Sequence, residues 1–416
     1  MDGDRPGPSV ASNESAPAIG GWRYVSEGDR DLRLDLLRGY LIFAMLVDHI
    51  AGGSWLHAVT GGDRFVVSAA EGFMLISGLV MGMVYQKVIR RDGLCAALRK
   101  VLLRAVKLYI LHVALTLGFA TASNLAGAFW SAPVEDRAAF VVGVLTLRET
   151  YYLTDIVHLY TMLVLSAPVA LLLLARGRGS LVLLASGLLW AVYQQFPYEL
   201  ASITANVAFP AAAWQVFFFG GLVLGYHRGR VWALLGRIPR VLAAPLLGCA
   251  ALALIAQHIS GGTLFLTDGL VGQSHDEIFY KWDVRPGRLI AVAIFFPLAY
   301  LLVSAAWRPL RVGLGWILLP LGQNSLLAYS MHLPAVLMAA TLLPLIPGFD
   351  ETDPRMNGLA QLAGVALVWG SVKGSALLSQ ALRSRLRPRG DGHEESRAPR
   401  CGAGIADSAR IGPIGR

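Results

Sequence analysis

Two residues near the start of the chain have types and a spacing suited to chemistry. Arg38 and His49 are eleven positions apart, and an α-helix turning 100° per residue brings them back to within about 20° after three full turns. They therefore share one helix face. The rise of ~1.5 Å per residue separates them by about 16 Å. In a membrane-spanning helix, Arg38 would then sit near one surface and His49 past the midplane. A guanidinium is a planar donor for phosphates and carboxylates, and an imidazole accepts and returns a proton near neutral pH. Asp48 adjoins His49 as a candidate to hold its tautomer, and Asp35 lies three residues before Arg38. Standing alone, Arg38 would read equally well as an interfacial anchor.

Other polar residues interrupt apolar stretches further along. Glu71 is expected at the depth of His49, as a second candidate for orienting it or as an interfacial carboxylate. Ser77 follows soon after, and Gly78 and Gly82 form a small-xxx-small pair of the kind that lets helices pack closely. Asp155 precedes His158 by three residues and also fits an N-cap. Trp214 and Gln215 suit helix packing or substrate contact. Ser325, Tyr329 and His332 follow i, i+4, i+7 spacing beside Asn324 and make a polar seam. An ionisable group at bilayer depth costs at least ~2.5–3.5 kcal/mol, so each is a site hypothesis.

The elements that must position these residues are membrane helices. The 416 residues are 55% hydrophobic and 15% charged, where a soluble domain carries about 25% charged residues. Apolar runs near the ~20 residues that cross ~30 Å of hydrocarbon recur along the chain. The pattern predicts an all-α, polytopic transmembrane bundle of about ten helices. They are expected at 37–56, 66–86, 103–126, 153–175, 180–196, 208–226, 241–259, 288–306, 323–343 and 358–380. A closed barrel would need alternating ~10-residue segments, which stretches such as Leu163 to Ala175 lack.

Residues 1–30, rich in Gly, Pro, Ser and charge, are expected to be a disordered lead, and 383–416, with Arg383, Arg385, Arg387 and Arg389, a disordered basic tail. The membrane domain occupies 31–382, without an internal repeat. Cys95, Cys249 and Cys401 form no CxxC pair, so neither a disulfide framework nor a metal site is implied.

The net charge of +9 reflects topology and not nucleic-acid binding. Under the alternating arrangement, 29 of the 36 Lys and Arg fall on one face, the positive-inside pattern of a cytosolic surface. Lys87, Arg90, Arg91, Arg99, Lys100, Arg104 and Lys107, between the second and third helices, fix this most firmly. Both termini are then cytosolic, in a multi-pass protein of the plasma (inner) membrane whose first partner is the lipid bilayer.

Several of these residues stand in recognisable motifs. Arg38, ten residues, then His49 resembles the Arg-x10-His signature of the acyltransferase-3 superfamily. Phe73-Met74-Leu75-Ile76-Ser77-Gly78 is similar to its helix-2 stretch, and Leu321-Gly322-Gln323-Asn324-Ser325 through His332 is similar to its late segment. Four further features resemble the OpgC branch, named for acylation, chiefly succinylation, of osmoregulated periplasmic glucans. They are Arg30 to Asp35 leading into Arg38-Gly39, Asp155 to Tyr160, Pro210 to Gln215, and Arg285-Pro286-Gly287-Arg288. One departure is His158, where that branch would have Pro or a small apolar residue.

The resemblance implies that a cytosolic acyl-CoA, with succinyl-CoA as one candidate, donates its acyl group to a hydroxyl of a glycan at the outer face. Arg38, with Arg33, Arg104 and Lys107, would bind the donor at the cytosolic mouth. His49 would be the general base, with Asp48 or Glu71 orienting it; direct transfer and transfer through an acyl-histidine both fit. Ser77, Asp155, Trp214, Gln215, Tyr329 and His332 would line the pore or meet substrate. A free succinyl carboxylate would want a further cation, for which Arg148, Lys281 and Arg285 are candidates. No metal is required. The competing reading is a transporter or flippase for a glycan precursor or small solute, since ionisable residues in helices also mark transport paths.

Overall fold

A computed structural model describes residues 26–27, 30–62, 65–131, 136–201, 206, 208–261 and 275–386. The chain falls into two compact units, Met1–Gly374 and Ser375–Arg416. The first unit carries the helices that position the site; of the second, the described residues are the last turns of the final helix. The lead expected over 1–30 and the tail expected over 383–416 lie outside the described residues, apart from 26–27, 30 and that helix end.

The architecture is a helical membrane bundle. Its principal helices are α1 (Leu32–His49), α2 (Ala69–Asp92), α3 (Leu94–Ala126), α4 (Asp155–Ala175), α5 (Gly179–Gln195) and α6 (Ala211–Tyr226). They continue with α7 (Arg240–Ile259), α8 (Pro286–Ala305), α9 (Gly315–Gln323), α10 (Ser325–Leu342) and α11 (Pro354–Leu386). The only strands among the described residues form a two-residue antiparallel ladder, Ser26–Glu27 with Arg30–Asp31. Among the described residues, seven helices, α2, α3, α4, α7, α8, α10 and α11, are long and apolar enough to cross a membrane, and α6 is a shorter apolar helix. Outward-facing Leu184 and Leu188 on α5 and Val241 and Leu246 on α7 are exposed, as side chains against lipid should be.

Each of the ten expected spans falls on a helix, with shifted ends. α1 begins five residues before position 37 because Asp31 caps it, accepting from the Arg33 backbone N–H at 3.1 Å. It ends at His49, short of the expected 56, where Ala51 takes a left-handed φ of 57° before Gly52-Gly53. The carbonyls freed by this break are answered from α11. Gln361 donates to Ile50 and Gly52, each at 3.0 Å, and Asn357 donates to Gly53 at 2.9 Å. α3 starts at Leu94 and not near 103, since its Leu, Ala, Lys and Arg residues are good helix formers that need not be apolar. The expected span at 323–343 is preceded by a separate helix, α9. Asn324 closes α9 by donating from its side chain to the Pro320 carbonyl at 3.0 Å, and opens α10 by accepting from the Ala328 backbone N–H at 2.9 Å.

Two glycine-mediated contacts set the packing. On α2 a Cβ at Gly78 or Gly82 would collide with the carbonyl of Phe218 or Leu222 on α6. Reciprocally, one at Gly221 or Gly225 of α6 would collide with that of Leu75 or Leu79 on α2. The small-xxx-small pair on each helix is thus a packing device. The same relation joins α1 to α9, through Gly39 against Leu318 and Gly322 against Asp35.

Gly82→Ala should therefore destabilise the bundle by about 1–3 kcal/mol, the usual range for overpacking. Gly118→Ala, where a Cβ meets nothing within 4 Å, should be neutral. Thermal melting in detergent, read by the surviving monodisperse fraction, checks both; equal melting would mean that the α2 and α6 backbones are not in contact.

Candidate functional site

The structure brings His49 and His332 together. His49 is the last residue of α1 and His332 lies in the second turn of α10. Nδ1 of His49 is 2.8 Å from Nε2 of His332, with ring centroids 4.9 Å apart. His332 is buried and His49 half-buried. α10 is anchored beside the pair by Tyr329, whose ring lies 5.6 Å from that of His332 and whose hydroxyl donates to the Leu153 carbonyl.

A contact of 2.8 Å requires one ring to donate and the other to accept. When His49 donates from Nδ1, its Nε2 carries a bare lone pair and is a base. His332 then bears its proton on Nδ1, a buried atom with no hydrogen-bond partner among the described residues. In either arrangement each ring fixes the orientation of the other.

The carboxylates expected to orient His49 are engaged elsewhere. Asp48 accepts from the Thr60 hydroxyl at 3.1 Å and lies 3.9 Å from Nε2 of His57, so it ties α1 to the turn that follows. Glu71 is fully buried and forms a capping box with Ser68 at the start of α2. Its Oε1 is 2.7 Å from Nε of Arg288, whose Nη1 donates to the Phe65 carbonyl at 2.6 Å. A buried carboxylate needs such a counter-charge. Arg288 of the Arg-Pro-Gly-Arg motif is therefore a clamp between α8 and the start of α2.

At the opposite end of α1, Arg38 lines a cavity of about 710 Å³ together with Arg30, Lys87, Arg90 and Arg91, and with Asp31 and Asp35. Arg38 is nearly buried, 3.9 Å from Asp35. The other three residues expected beside it are placed differently. Arg33 is 1% exposed, held by Asp31 at 3.2 Å and the Ser304 hydroxyl at 2.9 Å, and it lies over the Tyr300 ring. Burial turns it from a ligand contact into a fastening of α1 to α8. Arg104 donates to the Tyr160 hydroxyl at 2.7 Å, joining α3 to α4, and Lys107 is exposed on α3. Lys87, Arg90 and Arg91 mark topology in the sequence; here, with Arg30, they form the mouth itself.

The remaining candidates are mostly structural. Trp214 is buried and donates to the Trp282 carbonyl at 2.9 Å. Gln215 exchanges hydrogen bonds with Ser186 of α5, accepting from its hydroxyl at 2.6 Å and donating to its carbonyl at 2.8 Å. Asp155 is the first residue of α4, one past the N-cap Thr154, and its backbone carbonyl accepts from the Asn206 amide at 3.1 Å. Ser77 is buried within α2. His158 is also buried, its Nε2 against the Leu147 carbonyl at 3.1 Å and its Nδ1 against the Asn206 amide at 3.2 Å. Its ring packs 5.0 Å from His112 of α3. His112, Asn206, Asn357 and Gln361 escape a reading of the sequence; the i, i+4 spacing of Asn357 and Gln361 was the available signal. No cluster of three or more His, Cys, Asp or Glu among the described residues is placed to hold a metal.

If Glu71 clamps Arg288, then Glu71→Gln leaves a buried guanidinium without its counter-charge and should cost about 3–5 kcal/mol of stability. Glu71→Leu combined with Arg288→Leu should recover most of it. Expression level and thermal melting of the purified variants check this; a stable Glu71→Gln protein that has lost only activity would return Glu71 to the catalytic group.

No curated protein and no solved structure was found to be similar to this chain. One family does match: the sequence model described as OpgC protein aligns over residues 30–380. That range takes in both ends of α1, the His49–His332 pair, the basic mouth and the Glu71–Arg288 clamp. By this match, covering more than four-fifths of its length, the chain belongs to the OpgC family.

Proposed function

We propose that the protein is an integral membrane O-acyltransferase of the acyltransferase-3 type. It moves an acyl group from cytosolic acyl-CoA to a hydroxyl of an extracytoplasmic glycan. Succinyl-CoA and an osmoregulated periplasmic glucan are the donor and acceptor that the family favours. The observation that carries this reading is the His49–His332 pair at one end of α1, whose other end presents Arg38 to a basic cavity. In this reading the mouth faces the cytosol of a plasma (inner) membrane, in line with the distribution of Lys and Arg.

The mouth supplies what a coenzyme A donor needs. Arg30, Lys87, Arg90 and Arg91 offer charge-assisted hydrogen bonds to its phosphates, and Arg38 stands between them and the interior as a guide for the thioester arm. At the far end the acceptor hydroxyl gives its proton to Nε2 of His49 as its oxygen attacks the thioester carbonyl. The tetrahedral intermediate collapses, the C–S bond breaks, and the departing thiolate takes the proton back from Nε2 to leave as coenzyme A thiol. During the transfer, imidazolium on His49 donates from Nδ1 to His332, which stabilises it without placing a further net charge in the membrane.

Mass spectrometry of surface glycans from cells with and without the gene tests the reading, and two variants locate its parts. His49→Gln keeps a hydrogen-bonding side chain but cannot act as a base near neutral pH. It should lower glycan acylation at least ~10²-fold at matched membrane abundance, the lower range for a general base; near-normal acylation would make His49 structural. Arg38→Ala should raise the apparent KM for acyl-CoA, and Arg38→Lys should restore only part of the affinity, because a point charge does not copy a planar fork. An unchanged KM in the alanine variant would reduce Arg38 to an interfacial anchor.

A further inference from the structure

A second cavity, of about 400 Å³, lies between α2, α6, α8 and the short helix Arg228–Leu235, with Leu34 of α1 at its edge, and takes no part in the reaction above. Its volume is in the range of ligand pockets, about 300–1,000 Å³. The walls are apolar, with Leu75 and Leu79 from α2, Leu224 from α6, and Val292 and Phe296 from α8. Arg228 is the charged residue in this lining, and it stands at one end, past the last turn of α6. Trp232 and Tyr300 close the same end, with rings stacked 5.6 Å apart. Aromatic and cationic residues of this kind mark the boundary between hydrocarbon and headgroups.

The dimensions are those of one leaflet. From Val216, at the deep end of the cavity, to the end of α6 at Tyr226 is ten residues, a rise of ~15 Å. Half of a ~30 Å hydrocarbon core is also ~15 Å. Gly220 opens onto this space. Its neighbours Gly221 and Gly225 are required for contact with α2, but a Cβ at Gly220 meets nothing within 4 Å. Its lack of a side chain therefore serves no helix contact and leaves the cavity clear.

We infer that this cavity holds an acyl chain of one anionic phospholipid, drawn from the leaflet on the Arg228 side, with its phosphate at Arg228. The apolar walls cover the chain, the single cation meets the headgroup, and the aromatic pair sits at the level of the ester region. The cavity is a separate space from the basic mouth between α1 and α2, although Leu34 borders both and Tyr300 donates to Asp31 of the mouth at 3.0 Å.

Native mass spectrometry of the full chain in mild detergent tests this. The wild type should retain one phospholipid. After delipidation it should rebind phosphatidylglycerol in preference to phosphatidylethanolamine by about fivefold, the contribution of a single basic residue near an anionic headgroup. Gly220→Phe should fill the cavity and abolish the adduct while the gel-filtration profile stays unchanged. Arg228→Gln should keep an adduct but lose the headgroup preference. Absence of a saturable phosphatidylglycerol adduct on the wild type would overturn the inference, and that arm decides alone if Gly220→Phe does not fold. Full retention by a folded Gly220→Phe would overturn it too, as would displacement of the adduct by long-chain acyl-CoA, which would assign the cavity to the donor.

Discussion

Backbone contact between α1 and α9 is the constraint from which the site follows. Gly39 lies against the Leu318 carbonyl and Gly322 against that of Asp35, so neither helix can rotate or slide without a clash. α9 passes into α10 through Asn324, and α10 carries His332. Fixing α1 against α9 therefore fixes the distance from His49 to His332. α11 completes the restraint, because Gln361 and Asn357 hold the carbonyls that follow His49.

The same helix carries an unusual load of charge for a membrane protein. Within α1, Arg33, Asp35 and Arg38 are all buried, where unpaired they would be prohibitive. Arg33 is satisfied by Asp31, Ser304 and the face of Tyr300. Asp35 stands between Arg30 and Arg38. Pairing makes these charges tolerable, and the pairs face protein and not lipid. That arrangement divides the helix by role. Its first turn is fastened to the ladder and to α8, its second turn opens on the basic cavity, and its last residue meets α10.

Much of this was legible in the sequence. Apolar run lengths located ten helices, since the hydrocarbon thickness leaves few alternatives. The eleven-residue spacing of Arg38 and His49 put both on one face, and the i, i+4, i+7 seam in α10 pointed at Tyr329 and His332. What the sequence could not give was partnership. Glu71 and Asp48 are near His49 in depth or in sequence, yet Glu71 is held by Arg288, 217 positions away along the chain, and Asp48 by Thr60. Arg33 and Arg38 look alike on paper, and only packing separates the fastening from the cavity wall. Helix ends were misplaced for a related reason: Asp31 as a cap, Ala51 at positive φ and the Asn324 break are local backbone events that a hydropathy average smooths away.

Catalysis of the kind proposed requires His49 and His332 to act as one unit. A double-mutant cycle measures this directly, using acyl transfer to glycan in membranes holding His49→Gln, His332→Gln and the combined variant at equal abundance. If the two rings share one proton-transfer task, the double variant should be scarcely worse than His49→Gln alone, the non-additivity expected of residues that work together. Losses that multiply across the two positions would contradict the account, showing that each histidine contributes independently and that their 2.8 Å contact is incidental to catalysis.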